Sequence, residues 1–257
     1  RVATEGEVRC SVTADHRSAA MVEVNIETDF SARNDKFKDF VSRALSGVEG
    51  APADVAFTDI EVDGEKLGET AENITGVIGE KITLRRYAKL SLAEGKSGLC
   101  YAYVHMGGKI GVILSVEASS ADAASHAATQ TLAEETALQI AAMNPTALTR
   151  DEISETEVAK QKEIFEAQLR EDPKPKPEKV WPKIIEGKLN NWYSEAVLLE
   201  QLSAQHGKKK IADLVAEAGK AAGGDLTITA FVRYQLGEGI EKQEEDFRAG
   251  VAELLQQ

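Results

Sequence analysis

Between Met21 and Leu45 the apolar residues change from every second position to one helical face, and few folds accommodate so abrupt a switch. Val22, Val24 and Ile26 alternate with Met21, Glu23 and Asn25, a period of two that suits a strand buried on one side. The alternation stops at Glu27-Thr28-Asp29. Phe37, Phe40, Val41, Ala44 and Leu45 then recur at helical spacing, so an apolar stripe runs down a helix from about Ala32 to Leu45. Thr28 or Asp29 can cap that helix by accepting from its free N–H groups. The stretch reads strand, tight corner, helix, with Phe30 on the corner ahead of the stripe. Two readings of Phe30 stand. It is a staple-like contact closing the helix onto its own core, or an exposed aromatic anchor for a partner.

Upstream, Val8, Cys10 and Val12 alternate with polar residues and lead through Ala14–Ser18 into the same strand, which makes a hairpin. The pattern recurs. Leu99–Val104 is a strand, Met106-Gly107-Gly108-Lys109 a tight turn and Ile110–Val116 a second strand. Ser119 or Ser120 then caps a helix to about Met143, with Leu132, Leu138 and Ile140 on its apolar side. Cys10 and Cys100 occupy similar places, as do His16 and His105. Hairpin-then-helix near 8–45 and again near 98–143 reads as a duplicated α+β unit. In between, Gly47–Pro52 is a small polar linker, 53–75 shows weak helical pieces, and Gly76–Arg86 reads as a turn followed by a strand with Ile82 and Leu84 inward.

Thr149-Arg150-Asp151-Glu152 has the form of a capping box. A charged helix follows to about Glu171, on a thin seam of Ile153, Val158, Ile164, Phe165 and Leu169. Pro173–Pro177 has proline at alternate positions and should be extended. A second seamed helix carries Val180, Trp181, Ile184, Ile185, Leu189 and Trp192. Two such helices around a breaker make an antiparallel hairpin, expected to project because its seams are narrow. A helix at Ile211–Lys220 ends at Gly223-Gly224. Leu226–Tyr234 is a strand with Ile228, Ala230, Val232 and Tyr234 on one face, and a last amphipathic helix shows Phe247, Val251 and Leu254.

The net charge of −13 argues against direct binding to nucleic acid, which needs a basic face. No apolar run approaches the roughly 20 residues of a membrane helix. The two cysteines form no metal-ligand pattern and read as buried reduced thiols. The four histidines are scattered, and Glu134-Glu135 and Lys208–Lys210 read as solvated charge. His105-Met106-Gly107-Gly108-Lys109 has glycines and a lysine, but Ile110 stands where a phosphate loop needs a hydroxyl. Nothing in the pattern names a catalytic site. The chain begins Arg1-Val2-Ala3, as expected of a processed, trimmed or partial chain.

Met21–Asp35, with its Val-Glu-Val-Asn-x-Glu-Thr-Asp-Phe-x-Ala-Arg-Asn-Asp core, resembles the Thr-Asp-Phe-Val region of the elongation factor Ts family. Ser31 stands where the family usually has Val. The run 184–189, the Leu198–Gln201 segment and Arg233-Tyr234-x-x-Gly237-Glu238-Gly239-Ile240 are similar to the same family, so the resemblance covers essentially the whole chain. It implies an α+β fold of two related hairpin–helix core subdomains with an inserted antiparallel helical hairpin, a coiled coil. The expected division is 1–92, then 93–148 with 203–257, and 149–202 for the hairpin. It implies a translation factor, not an enzyme, that binds elongation factor Tu in its GDP-bound or nucleotide-free form and promotes GDP/GTP exchange by displacing magnesium. Thr28, Asp29, Phe30 and Ser31 would enter the partner's GTPase domain, and Ile78, Gly79 and His105 would make further contacts; from the residues alone, each of these three is simply a turn position. No cofactor, metal, nucleic acid or membrane is implied. The compartment expected is the cytoplasm, with plastid stroma or mitochondrial matrix as alternatives. The family usually begins with a small helical module that contacts the same domain, and without it weaker binding is expected. The rival is an adaptor docking through the helical hairpin.

Overall fold

The computed structural model describes residues 2–52 and 54–241. β1 (Glu5–Val12) and β2 (Ser18–Ile26) pair antiparallel, with Glu5 opposite Ile26 and Val12 opposite Ala19. β2 runs into a four-residue helical turn, α1 (Asp29–Ala32), and then into α2 (Asp35–Gly50). The single helix expected from Ala32 is thus two. Asn34 leaves the helical region at φ −65°, ψ 134°, and its side chain accepts from the Lys36 N–H, which starts a second helix afresh. The stripe from Phe37 to Leu45 is buried as its spacing predicts, and Val48 extends it.

The helical pieces expected over 53–75 include a small ribbon, β3 (Glu61–Val62) with β4 (Glu65–Lys66), before α3 (Leu67–Ile78). α3 continues through Gly76, where the sequence suggested a turn. The stop is Gly79, whose φ of 82° suits a residue without Cβ and whose N–H donates to Thr75 O at 2.8 Å. β5 (Thr83–Ser91) returns along the free side of β2, giving the order β1-β2-β5.

β6 (Ser97–His105) and β7 (Ile110–Ala118) form the second long hairpin. The helix expected through Met143 is interrupted once. Ser120 caps α4 (Ala121–Ser125), and His126 Nδ1 accepts from the Ala128 N–H at 3.1 Å to begin α5 (Ala127–Met143). Thr149 makes no capping bond. Residues 150–152 form one 3₁₀ turn, Glu152 accepts from the Leu148 N–H, and Ser154 caps α6 (Glu155–Arg170) instead. α6 packs against α7 (Trp181–Ala196), and α8 (Ile211–Ala222) then leads into β8 (Leu226–Gln235), which completes the order β6-β7-β8. The helix expected on Phe247, Val251 and Leu254 lies outside the described residues.

α2 and α3 cover one face of the first sheet, and α5 and α8 cover one face of the second. The two remaining faces pack on each other, with Val8, Ala19 and Met21 meeting Cys100 and Ile113. The layers run helix, sheet, sheet, helix. One-sided burial of β2 is therefore overturned, since Met21, Glu23 and Asn25 are as buried as Val22, Val24 and Ile26. Gly111 permits the approach, because a Cβ there would lie 2.5 Å from Val8 Cγ1 and 2.8 Å from Met21 Sδ. Each large side chain buried between the sheets contributes roughly 1.5–3 kcal/mol. Both cysteines are free; Cys100 is buried as expected but Cys10 only half-buried, and burial pushes the Cys10 thiol up to about 12 and raises Cys100 too.

Each middle strand carries one register shift, at Glu23/Val24 and at Ser115/Val116. Glu23 pairs with Arg86 and Val24 with Leu84, so Arg85 is the extra residue of a bulge that turns two consecutive arginines toward one partner. The buried Glu23 carboxylate accepts from Arg85 Nη1 at 2.7 Å, Arg86 Nε at 2.6 Å and the Gly237 N–H at 2.8 Å. In the second sheet the extra residue is Thr229, whose hydroxyl lies 2.7 Å from Ser115 Oγ. That bulge divides the single face expected of β8: Leu226 and Ile228 turn toward the helices, Val232 and Tyr234 toward the other sheet. The spacing that separates Glu23 from Ser115 also separates Gly6 from Gly98 and Val8 from Cys100, so Val8, not Cys10, stands where Cys100 does.

Burial by itself would raise the Glu23 carboxyl, but the Gly237 N–H and the two guanidinium groups outweigh it and hold it below the ordinary glutamate range. With the folded value lowered, the stabilisation is fully present above the unfolded pKa of about 4.3 and is lost as pH falls through the folded value. Glu23→Gln is expected to cost about 2–4 kcal/mol at neutral pH, because two part-buried cations lose their counter-charge. In urea unfolding the gap between wild type and variant should narrow only below about pH 4. A gap independent of pH would refute this role. A second expectation concerns the helix pair. Ile153, Val197 and Leu198 at its root are buried, whereas Leu169 and Leu189 are the large side chains buried along the two helices. Replacing residues 160–189 by a short Gly/Ser linker should leave one cooperative thermal transition, and dye binding typical of a molten state would contradict that. A cut reaching Leu198 should cost a further 2–5 kcal/mol or so.

Candidate partner-binding site

α1 holds a single turn, too short to be stable by itself, so its position depends on anchors. Thr28 provides them. Its φ of −124° keeps it outside the helix, and its Oγ accepts from the Ser31 N–H at 3.2 Å, so Thr28 caps only the short α1, whereas the striped helix α2, which Thr28 or Asp29 was expected to cap, is capped by Asn34. The same hydroxyl donates to Glu80 Oε1 at 2.8 Å, and the Thr28 N–H donates to Glu80 Oε2 at 3.0 Å. One residue away, Glu27 Oε1 accepts from the Lys81 N–H at 3.0 Å. Two carboxylates exchanged between two loops thus clamp the 27–31 corner onto the turn that follows α3.

Inside this clamp Ser31 is buried and Ala32 packs on the first core. That orientation sends Phe30 outward, and it is 83% exposed. The staple reading of Phe30 therefore fails. Asp29 is also exposed and meets Arg33 Nη2 at 3.3 Å; a solvated i,i+4 pair contributes about 0.5 kcal/mol or less and leaves the carboxylate accessible.

Ile78 and Gly79 belong to the same neighbourhood through Glu80. Ile78 is half-buried against the first core, Gly79 is exposed at the helix stop, and the adjacent Val77 is 62% exposed. His105 arrives from the second sheet. Val8 N donates to Gly108 O at 2.8 Å, and Lys109 Nζ reaches Glu5 Oε2 at 3.0 Å. Because Glu5 pairs with Ile26, the β6–β7 turn lies at the end of the sandwich where β2 enters the corner. His105 Nδ1 sits 2.8 Å from Tyr103 Oη, which orients the ring, and Met106 beside it is 71% exposed at φ 51°. A non-glycine residue in that region is disfavoured.

The seven residues singled out in the sequence, Thr28 to Ser31, Ile78, Gly79 and His105, thus gather at one end of the molecule, on three loops from both sheets. Sequence reading missed Glu27 and Glu80, which lock two of the loops together, and Val77 and Met106, which add exposed apolar surface. Met106 could have been found as a large residue in a glycine turn; Glu80 had no local signal. Among the described residues no group of three His, Cys, Asp or Glu could hold a metal, and no helix is long and apolar enough to cross a membrane. The arrangement offers a clamped rim with an exposed aromatic beside an accessible carboxylate.

A model of the family described as Elongation factor TS matches residues 27–238. The chain is 41% identical over 258 residues to elongation factor Ts of a Nitratiruptor species, across 98% of this chain and 81% of that protein. It is 40% identical over 255 residues to elongation factor Ts of Bdellovibrio bacteriovorus and 37% identical over 257 residues to that of Trichlorobacter lovleyi, with the same 98% and 81% coverage. The relatives, matched over 98% of the chain, span both sheets and the corner that presents Phe30, and together with the family model they show that the chain belongs to the elongation factor Ts family.

Proposed function

We propose that this elongation factor binds elongation factor Tu and promotes release of GDP, and so GDP/GTP exchange, by displacing magnesium from the partner's nucleotide site. The carrying observation is Phe30, a large apolar side chain held in solvent on a clamped corner. Full burial of such a side chain against a partner is worth roughly 1.5–3 kcal/mol. The mechanism is differential binding. A factor that prefers the nucleotide-free or distorted partner must, by linkage, weaken GDP by the same factor. In this reading the 28–31 turn meets the GTPase domain through the Asp29 carboxylate and the Phe30 ring, while Thr28 and the buried Ser31, expected from the sequence to make contact too, hold the turn in place. Ile78, Gly79 and His105 make further contacts. The protein contributes no bond-making chemistry and needs no cofactor of its own.

The same reading takes the fold as two related subdomains, 1–92 and 93–148 with 203–257, and 149–202 as an inserted helical hairpin that serves as an arm. The common strand order and the constant spacing between the two bulges support it. An adaptor docking only through the arm would have no use for an exposed aromatic on the clamped corner. The compartment we assign is the cytoplasm.

Release of fluorescent GDP from elongation factor Tu should accelerate in the presence of the chain, which by itself should hydrolyse no GTP. An unchanged off-rate at saturating protein would end the proposal. On the same assay, Phe30→Ala should reduce the acceleration about thirty-fold, the worth of a central aromatic anchor. Its melting transition should shift by no more than about 0.5 kcal/mol, since the ring covers no core. A large loss of stability with unchanged exchange per folded molecule would refute the wedge.

A further inference from the structure

We propose that Glu80 is a positioning residue for exchange: it aims the Phe30 corner by holding Thr28 and couples that corner to the 78–79 turn. The inference rests on the exchange reading above. Three observations carry it. First, α1 is one turn long and cannot order itself. Second, the Glu80 carboxylate takes both donors of Thr28, the hydroxyl at 2.8 Å and the backbone N–H at 3.0 Å. Bonds to an ionised acceptor are the stronger kind. With that hydroxyl donating to Glu80, its lone pair faces the Ser31 N–H and completes the cap. Third, the other fastening at the exposed side of α1 is the solvated Asp29–Arg33 pair, which a wedge entering a partner would have to disturb.

Glu80 touches neither nucleotide nor partner in this account; it acts through Thr28 and Phe30. It follows Gly79 directly, so the left-handed stop of α3 delivers the carboxylate to Thr28, and contact of a partner with Ile78–Gly79 bears on the same residue that holds the wedge. Glu27, bonded to the Lys81 N–H, keeps the two loops in register if the Glu80 bonds are cut. Loss of Glu80 should therefore loosen the corner without detaching it.

The test uses the full chain with wild type, Glu80→Ala, Glu80→Gln, Phe30→Ala and the double variant. Amide hydrogen exchange by NMR is read at residues 28 and 31–33, and release of fluorescent GDP is read at saturating factor. Glu80→Ala should lower protection of those amides at least tenfold while the amides of β2 stay protected. It should reduce the maximal acceleration of GDP release about tenfold and move the half-saturating concentration by no more than about threefold, the signature of misplacement over lost contact. Glu80→Gln keeps one acceptor for the Thr28 N–H and should fall between wild type and Glu80→Ala. In the Phe30→Ala background, Glu80→Ala should change the off-rate less than twofold. Unchanged amide protection in Glu80→Ala overturns the proposal whatever the exchange assay gives. Loosened amides with full acceleration overturn it too, as do effects of Glu80 and Phe30 that simply multiply. If wild type itself fails to accelerate release, the exchange reading falls, and the amide data alone then decide whether Glu80 orders the corner.

Discussion

A carboxylate with no exposure, buried between two sheets, is the constraint on which the rest of this molecule depends. Glu23 would be destabilising there without partners. Its partners come from three places: the bulge in β5 brings Arg85 and Arg86, the turn after β8 brings the Gly237 N–H, and its own strand brings Asn25 Nδ2 at 3.2 Å. Arg86 also lies 4.0 Å over the Tyr234 ring, and Tyr234 Oη donates to Tyr87 O at 2.8 Å. The end of the second sheet is thereby fastened to the first around this charge. A purely apolar interface would tolerate sliding by a residue pair. A single buried ion with directional partners favours one register, and register decides which loops share an end of the sandwich.

That register leaves the corner after β2, the stop of α3 and the β6–β7 turn at one end of the sandwich. Each is a loop on a strand or helix end, and loops carry function when a rigid frame positions them. The frame is firm because β2 and β7 are middle strands buried on both faces, with Met21 and Ile113 both fully buried in the layer between the sheets. The second sheet contributes more than a platform, since its β6–β7 turn supplies His105 and the exposed Met106. Neither sheet alone would assemble the three loops.

Much of this was legible in the sequence. Both hairpins, the apolar stripe of α2, the glycine turn at 106–109 and the corner at Thr28–Phe30 follow from local spacing and capping chemistry, which short windows contain. What was not legible depends on residues distant in the chain. The outward face of β2 reads as solvent-facing because Glu23 and Asn25 are polar; only the second sheet and two arginines some sixty positions away explain their burial. The split face of β8 comes from one inserted residue opposite Ser115, and alternation counted along one strand cannot see its partner. The capping box at Thr149 had the right letters, yet the Glu152 carboxylate goes to Leu148 instead. Phe30 was open between two readings because exposure of a large residue is a property of the neighbours that decline to cover it.

Why those neighbours decline is itself a structural matter. A turn of helix has room for one buried side, and Ser31 with Ala32 takes it. Ser31 is buried there, and Thr28 at the start of the same turn is bonded to Glu80. Phe30 is then opposite the anchored side by helical geometry, not by any contact of its own. An exposed ring on a mobile loop would lose much of its binding energy to ordering the loop. An exposed ring on a turn held by a carboxylate, two hydrogen bonds and a buried strand has already lost that freedom in folding. The stability that Glu23 lends to the sandwich therefore bears on the corner as well. It maintains the frame on which a single aromatic side chain is kept out of the core, the arrangement that the proposed function requires.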